Sequence, residues 1–350
     1  MKLNTALTQA RKQHSWSQEE VATMIGTTQA NLSRWERGIT SPMPHYTRKL
    51  CELYQKNLEE LFPRVFNSHW DEDRPVFLCN AALTDPNDFV GREREIRTLL
   101  TRARTGQSTS IIGPRRIGKT WLLNYLCLTA EEKLGDKYTI GYLDATSPKC
   151  SGIVGFTTEI LHALDIPPEE RGWKNNLITL ENAAAQKKKN GEFFILCIDE
   201  FEGVCKQPDF SLEVLENLRA IAQQYQLSLV TASKKRLLDV VAGIAGSETS
   251  PFFNIFFQLR LGPFSRHDAE KFVKDKGQQA QFIEQEKLLL LECSQDQGRE
   301  QWHPWLLQFV GELIYQDKRL ATDSYRPDEP TYREELLQCI EDGAKGVIET

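Results

Sequence analysis

The chain has 350 residues, of which 40% are hydrophobic and 26% charged, as in ordinary globular proteins and unlike disordered or fibrous ones. At about 100 to 200 residues per domain, we expect two or three domains. The longest apolar runs, such as FFILCI at 193–198, fall far short of the ~20 residues that span a bilayer. The amino-terminal residues show no signal-peptide pattern, so we expect a cytoplasmic protein with no membrane partner. The eight cysteines form no CxxC pair, which argues against a zinc site or a disulfide framework.

Charge is distributed unevenly along the chain. The net charge is −6, yet residues 1–66 carry nine Lys and Arg against six Glu, which leaves +3 on this segment and −9 on the rest. A basic segment at 1–66 followed by an acidic remainder is typical of a small DNA-contacting module joined to a part that does not contact DNA.

The first recognisable pattern is a pair of short helices. Ser17 and Glu20 have the spacing of a capping box, so a helix is expected to begin there. Gly26 permits a tight left-handed turn after it, and either Thr27 or Thr28 can cap a second helix. Apolar residues recur at helical spacing on one face of both segments: Val21, Ala22, Ile25, Leu32 and Trp35. The pattern predicts a helix-turn-helix.

Across positions 3–62 the segment resembles the Cro-like repressor domain of the Xre family. In that family the second helix of the pair enters the DNA major groove by its amino-terminal end. The resemblance implies that Arg11 and Glu36 form a structural salt bridge, and it implies six DNA-contacting residues: Gln18, Thr28, Gln29, Ala30, Asn31 and Arg34. Gln and Arg are suited to adenine and guanine edges. The alternative is a module that binds protein instead of DNA. One copy makes few phosphate contacts, so we expect two copies on adjacent half-sites.

The next segment, 67–88, mixes acidic, Pro and Asn residues without a period and is expected to be a linker, with Trp70 and Phe77 as candidate anchors. From residue 89 the pattern alternates between strands and helices, which predicts an α/β domain with a parallel sheet over 89–262. The expected strands are Thr109–Ile112, Tyr138–Ala145, Phe193–Ile198, Leu227–Ala232 and Phe256–Leu261. Residues 263–350 are expected to be a helical lid, so the fold class is multidomain, with an all-α domain at 1–66.

A phosphate-binding loop follows the first of these strands. Gly113 to Thr120 reads GPRRIGKT, a complete GxxxxGK[ST] motif between a strand and a helix. Such glycines let backbone N–H groups face phosphates at the positive end of the following helix. Lys119 would neutralise phosphate charge and Thr120 would ligate Mg²⁺. The nucleotide-contacting residues expected here are Gly113, Pro114, Arg115, Arg116, Ile117, Gly118, Lys119, Thr120 and Trp121. For Arg115 and Arg116, surface pairing is an equal alternative.

The strand FFILCI leads into two acidic residues. Asp199 is expected at the end of a buried strand, where ligands collect in parallel sheets, and would hold the metal. Glu200 would polarise an attacking water, and a surface or helix-capping role is its alternative. The expected catalytic residues are therefore Lys119 and Glu200, and the expected metal ligands are Thr120 and Asp199.

Residues 89–320 resemble the AAA+ and STAND ATPases, especially single-domain bacterial and archaeal ones. FVGREREIRTLL matches their hhGRE motif, which implies that Val90, Gly91 and Arg92 lie at the adenine. SLVTASKK resembles their sensor strand, which implies that Thr231 or Ser233 senses the γ-phosphate. WHPWLLQFV resembles the lid motif, which implies that Pro304, and as an alternative His303, covers the nucleotide; Gln301 and Trp302 depart from the usual glycines.

The expected ligands are therefore ATP or ADP with Mg²⁺, double-stranded DNA with an operator-like site, and a second copy of the chain as a dimer or nucleotide-dependent oligomer. No arginine finger is evident, with Arg236, Arg260 and Arg266 left open, so hydrolysis is expected to be slow. Slow turnover favours an ATP-dependent transcriptional regulator. The alternatives are an AAA+ helper of transposition or replication and a STAND signalling ATPase of a defence system.

Overall fold

A computed structural model gives the fold of the chain. The structure describes residues 5–37, 42, 44–62, 75–168, 172–242, 251–296, 299–319 and 326–344. It divides into two compact units, which we call the helical unit (Met1–Asn80 with Phe264–Glu349) and the sheet unit (Ala81–Pro263). The expected domain limits stay predictions, and Trp70 lies outside the described residues.

Five helices form the amino-terminal head of the helical unit. They are α1 (Thr5–Gln13), α2 (Gln18–Ile25), α3 (Gln29–Glu36), α4 (Pro44–Tyr54) and α5 (Leu58–Leu61). The capping box begins α2 as predicted, because Glu20 N–H donates to Ser17 Oγ at 3.1 Å and Ser17 N–H donates to Glu20 Oε2 at 2.6 Å. Gly26 ends α2 with φ +78°, and Thr28 caps α3. The predicted helix-turn-helix is confirmed.

The sheet unit is built on five parallel strands. They are β1 (Ser108–Ile112), β2 (Tyr138–Asp144), β3 (Phe193–Asp199), β4 (Ser228–Ser233) and β5 (Phe256–Arg260), in the order β2-β3-β4-β1-β5. Every residue of β1 and β4 is buried, as expected of strands covered on both faces. The predicted α/β class is confirmed, and each strand lies within a residue or two of its expected limits.

The described part of the sheet unit has seven α-helices, of which the first precedes β1. They are α6 (Glu93–Arg104), α7 (Lys119–Leu134), α8 (Gly152–Ala163), α9 (Trp173–Lys189), α10 (Glu202–Cys205), α11 (Leu212–Tyr225) and α12 (Leu237–Val241). One face of the sheet packs on α6 and α7 through Leu99 and Leu122, and the other packs on α8, α9 and α11 through Phe156, Leu180 and Leu218. These layers bring the carboxyl ends of β1, β3 and β4 to one edge.

The carboxyl-terminal helices complete the helical unit. They are α13 (Arg266–Gln279), α14 (Glu284–Cys293), α15 (Pro304–Arg319) and α16 (Pro330–Ala344), so the predicted helical tail is confirmed. Helix α4 of the head packs against α15. The segment after the head is also anchored here, because Leu78 N–H donates to Gln308 Oε1 at 2.9 Å and Phe77 is 3% exposed. Among the described helices, none has the length and apolar character to cross a membrane.

Gly141 of β2 lies in close contact with the backbone at the end of α8. A Cβ at this position would lie 2.4 Å from the carbonyl oxygen of Ala163. Gly141→Ala must therefore displace the end of α8, and we expect the free energy of unfolding to fall by about 1 to 3 kcal/mol. Urea denaturation measures the change. Gly262→Ala is the matched control, since no heavy atom lies within 4 Å of the added Cβ; equal midpoints for both variants would contradict the packing.

Candidate functional site

The phosphate loop joins β1 to α7 at the carboxyl edge of the sheet. Its first glycine, Gly113, is closed in by its surroundings, since a Cβ there would lie 2.7 Å from Leu261 O. Gly118 has φ +101° with open space around it, which leaves room over the start of α7. Pro114, Arg115 and Arg116 are exposed on the crest of the loop, while Ile117 is buried beneath it. The loop thus has a rigid base and an open upper side.

Lys119 is buried under this loop, with 6% of its surface exposed. Its Nζ donates to the carbonyl oxygens of Gly113 at 3.0 Å and Pro114 at 2.9 Å. Burial lowers the pKa of Lys119, and the nearby carboxylates of Glu200 and Glu202 oppose that shift. A buried ammonium whose partners are two neutral carbonyls is suited to an anionic ligand in the loop.

Asp199 ends β3 beside the loop and is 2% exposed. Its Oδ1 accepts from the backbone N–H of Glu200 at 3.0 Å, and its Oδ2 accepts from the hydroxyl of Tyr142 at 3.2 Å. The hydroxyl of Thr120 also hydrogen-bonds this carboxylate. Burial raises the pKa of Asp199, and these three donors act in the opposite direction. The structure therefore brings both expected metal ligands together, with a tyrosine that the sequence analysis did not identify.

Glu200 follows directly, in a left-handed conformation with φ +44°. Such a backbone is uncommon for a residue other than glycine and is typical of functional sites. Burial, then the neighbouring carboxylate of Glu202, raise the pKa of Glu200. Glu202 itself accepts from Lys234 N–H at 2.9 Å, and its Oε2 is buried with no hydrogen-bond partner among the described residues. Sequence reasoning missed Glu202, which lies between the ends of β3 and β4.

The two sensor candidates on β4 differ in their environment. Ser233 donates its hydroxyl to Lys235 O at 2.6 Å, within its own turn. The Thr231 hydroxyl is buried and has no partner among the described residues, and the same is true of Ser110, its register neighbour on β1. Both residues are fully buried in the sheet. The structure leaves the choice between Thr231 and Ser233 a prediction, because neither side chain faces the loop through a described contact.

The segment before α6 is hydrogen-bonded to the phosphate loop through Arg92. Arg92 is 6% exposed and donates from Nη2 to Ile117 O at 3.3 Å and to Gly262 O at 2.5 Å. Gly91 and Arg92 both have positive φ, and Val90 is buried. Trp121 donates from its indole to Ala81 O at 3.0 Å. Arg92 and Trp121 therefore have structural partners, and their expected nucleotide contacts stay predictions.

The remaining nucleotide-site candidates belong to elements other than the loop, and two of the arginines have ion-pair partners. Pro304 begins α15, in the helical unit, and His303 precedes it. Among the arginine-finger candidates, Arg236 pairs with Asp239 at 2.8 Å and Arg266 pairs with Glu270 at 2.8 Å. Their expected roles also stay predictions.

The expected DNA-reading face lies at the start of α3. Thr28, Gln29 and Arg34 are exposed, and Asn31 donates from Nδ2 to Thr27 Oγ1 at 3.3 Å. The side chain of Ala30 lies outside the described residues. A polar, exposed helix start of this kind can present side chains to base edges.

Gln18 has a partner inside the head. Glu36 is 3% exposed. Its carboxylate accepts hydrogen bonds from Arg11 Nε at 2.6 Å, from Arg11 Nη2 at 2.9 Å and from Gln18 Nε2 at 2.8 Å. Gln18 therefore braces the buried ion pair between α1 and α3. Its expected DNA contact stays a prediction.

Fold and site define a helix-turn-helix head joined to an α/β domain with a P-loop. A helix-turn-helix family profile matches residues 7–61, and an AAA domain profile matches residues 102–241. The chain thus carries an Xre-like helix-turn-helix domain followed by an AAA-type P-loop ATPase domain. The comparison with curated proteins found no match.

Among the solved structures that share the fold are three with similar scores. The ORC2 protein of Aeropyrum pernix, in its ADPNP-ADP complexes, is 16% identical with a TM-score of 0.54, over 78% of this chain and 72% of that one. The ORC1 protein of Aeropyrum pernix in complex with DNA is 14% identical with a TM-score of 0.53, over 73% and 66%. A Walker-type ATPase of Pyrococcus abyssi is 15% identical with a TM-score of 0.55, over 78% and 77%. At these identities the likeness establishes the fold alone.

The raised pKa of Glu200 predicts a pH-dependent change in stability. The folded protein holds this proton more tightly than the unfolded chain, so stability falls as pH rises through the raised pKa. Glu200→Gln removes the charge, so its urea midpoint without nucleotide should exceed that of the wild type at neutral pH. The difference should vanish below the ordinary pKa of glutamate.

Urea midpoints from about pH 4 to about pH 8 measure this difference. Glu132→Gln makes the same chemical change at a side chain that is 78% exposed, and serves as the control. A Glu200→Gln difference that is the same at every pH would contradict the assignment.

Proposed function

We propose that this protein is a sequence-specific DNA-binding switch controlled by ATP, acting as a transcriptional regulator. ATP or ADP would occupy the loop at Gly113 to Thr120, and the head would read an operator-like site with α3. The observation that carries the proposal is that the head and the carboxyl-terminal helices form one compact unit. A nucleotide-dependent movement of those helices would carry the head with it.

The residues at the loop fit a nucleotide phosphate with magnesium. The open space over Gly118 and the buried ammonium of Lys119 suit phosphate oxygens. The hydroxyl of Thr120 and the carboxylate of Asp199 are oxygen donors, the kind that Mg²⁺ prefers. When bound, this ion neutralises charge on the phosphates. The ORC2 structure that shares the fold was solved as ADPNP-ADP complexes.

Hydrolysis of ATP to ADP and phosphate would use Glu200 as the residue that orients and deprotonates water. Burial raises the pKa of Glu200, which makes it a stronger base than an exposed carboxylate. Because Arg236 and Arg266 are held in local ion pairs, no arginine finger is assigned, and we propose slow turnover. Slow turnover leaves ATP-bound and ADP-bound forms long enough to act as two states.

The DNA-binding part of the proposal rests on the head. Its charge of +3 within an acidic chain favours a phosphate backbone as partner. The exposed Gln29 and Arg34 supply amide and guanidinium groups that pair bidentately with adenine and guanine. Since one head makes few contacts, we propose that two copies bind neighbouring half-sites as a dimer or larger assembly.

A second candidate is a helper ATPase that assembles on DNA in replication or transposition. The observation in its favour is the fold likeness to ORC proteins, one of which was solved with DNA. Fast hydrolysis stimulated by DNA, together with rings or filaments, would favour this candidate over the regulator.

Selection of bound sites from a random duplex pool, with ATP, ADP or no nucleotide, tests the proposal. We expect one enriched site whose affinity differs by about fivefold or more between nucleotide states. Lys119→Ala should bind the same site without that dependence, because it removes the phosphate-binding cation. An identical affinity for DNA with ATP, with ADP and without nucleotide would show that DNA binding does not depend on the nucleotide. The absence of any enriched site would exclude sequence-specific binding.

The base-reading role of α3 has its own test. Gln29→Ala should weaken binding to the selected site by about 1 to 3 kcal/mol and relax specificity at one base pair. Gln9→Ala is the matched control, since Gln9 is exposed on α1, which is not one of the two helices of the helix-turn-helix. Equal loss for both variants, measured by fluorescence anisotropy, would show that Gln29 reads no base.

A further inference from the structure

A tyrosine on the neighbouring strand reaches the buried carboxylate at the end of β3. Strands β2 and β3 are parallel neighbours, with Tyr142 in register with Cys197 and Asp144 in register with Asp199. Alternate residues of a strand share one face, so Tyr142 and Asp199 project from the same face of the sheet one step apart. A long aromatic side chain can span such a diagonal. The Tyr142 hydroxyl does so, at 3.2 Å from Asp199 Oδ2.

The donors on Asp199 come from separate parts of the chain. Glu200 supplies a backbone N–H to Oδ1, Tyr142 supplies a hydroxyl to Oδ2, and Thr120 supplies a second hydroxyl. An ionised carboxylate only accepts hydrogen bonds, so each of these contacts fixes its orientation. Because Asp199 is 2% exposed, water cannot readily replace a donor that is lost.

The hydroxyl of Tyr142 is the donor in this contact, because an ionised carboxylate only accepts hydrogen bonds. The residue as a whole is 37% exposed, so part of its side chain faces solvent.

We propose that Tyr142 is a positioning residue for the magnesium site, holding Asp199 in the orientation that binds the ion. The inference rests on the proposed function, because it takes Thr120 and Asp199 to be the protein's contacts to magnesium. Removing a residue that orients a metal ligand commonly weakens metal binding by about 10- to 100-fold. Strand β2 would thereby contribute a residue to the magnesium site, although its sequence contains no nucleotide-binding motif.

The test compares full-length wild type, Tyr142→Phe and Tyr138→Phe. Tyr138 lies on the same strand and donates its hydroxyl to Arg104 O at 2.8 Å, so Tyr138→Phe removes a matched hydrogen bond away from Asp199. Binding of a fluorescent ADP analogue is titrated in EDTA and in magnesium, and the ratio of the two Kd values gives the effect of the ion. The melting temperature of each nucleotide-free protein is measured in EDTA.

We expect Tyr142→Phe to reduce the magnesium effect about tenfold with its Kd in EDTA unchanged, and Tyr138→Phe to keep the wild-type effect. Because the buried carboxylate loses a donor, we also expect nucleotide-free Tyr142→Phe to melt at a lower temperature than the wild type. A wild-type magnesium effect in Tyr142→Phe would overturn the inference. Equal weakening with and without the ion would assign the hydroxyl to the fold and also overturn it. A wild type that binds no ADP analogue would instead refute the proposed function.

Discussion

A carboxylate buried at the end of the central strand β3 governs the arrangement around it. Removing the charge of Asp199 from water is costly unless donors replace the lost hydration. The chain supplies them from β2, from the first turn of α7 and from its own next peptide group. The start of α7, β2 and β3 are thereby hydrogen-bonded to one carboxylate. The relative positions of the side chains at the site depend on these hydrogen bonds.

Three residues at the same place have strained backbones, among eight described residues other than glycine with positive φ. Arg92, Arg116 and Glu200 are residues other than glycine with φ between +44° and +65°, and all belong to segments that build the site. Each such conformation costs of order 1 kcal/mol or more and persists only where the surroundings enforce it. The packed layers on both faces of the sheet provide that enforcement. These three conformations thus reduce the free energy of unfolding, and the rest of the fold offsets that cost.

Local patterns explain why the strands, the capping box and the phosphate loop were predictable. Runs such as 193–198 are apolar because β3 is covered on both faces, and the spacing of Ser17 and Glu20 encodes their reciprocal hydrogen bonds directly. Thr28 rather than Thr27 caps α3 because Thr28 has the extended backbone that directs its hydroxyl at Asn31 N–H.

Contacts between distant parts of the chain that no family motif marks were not predictable. Periodicity does not give the strand order β2-β3-β4-β1-β5, so it could not place Tyr142, 57 positions before Asp199, beside that carboxylate. The same holds for Arg92 and Gly262, which are 170 positions apart, and for Glu202 with the turn after β4. Gln18 matched a family DNA contact, yet its partner Glu36 is fixed by the packing of α1, α2 and α3.

The anchoring of Phe77 limits how freely the head can be exchanged. The ring of Phe77 lies so close to Gly311 of α15 that a Cβ there would be 2.2 Å from it, and it stacks on Phe282 at 5.7 Å. Any residue larger than glycine at 311 would expel the ring. A chimaera that grafts a foreign head onto this chain would therefore need its graft point ahead of residue 77, so that the ring of Phe77 and the glycine that accommodates it are inherited together.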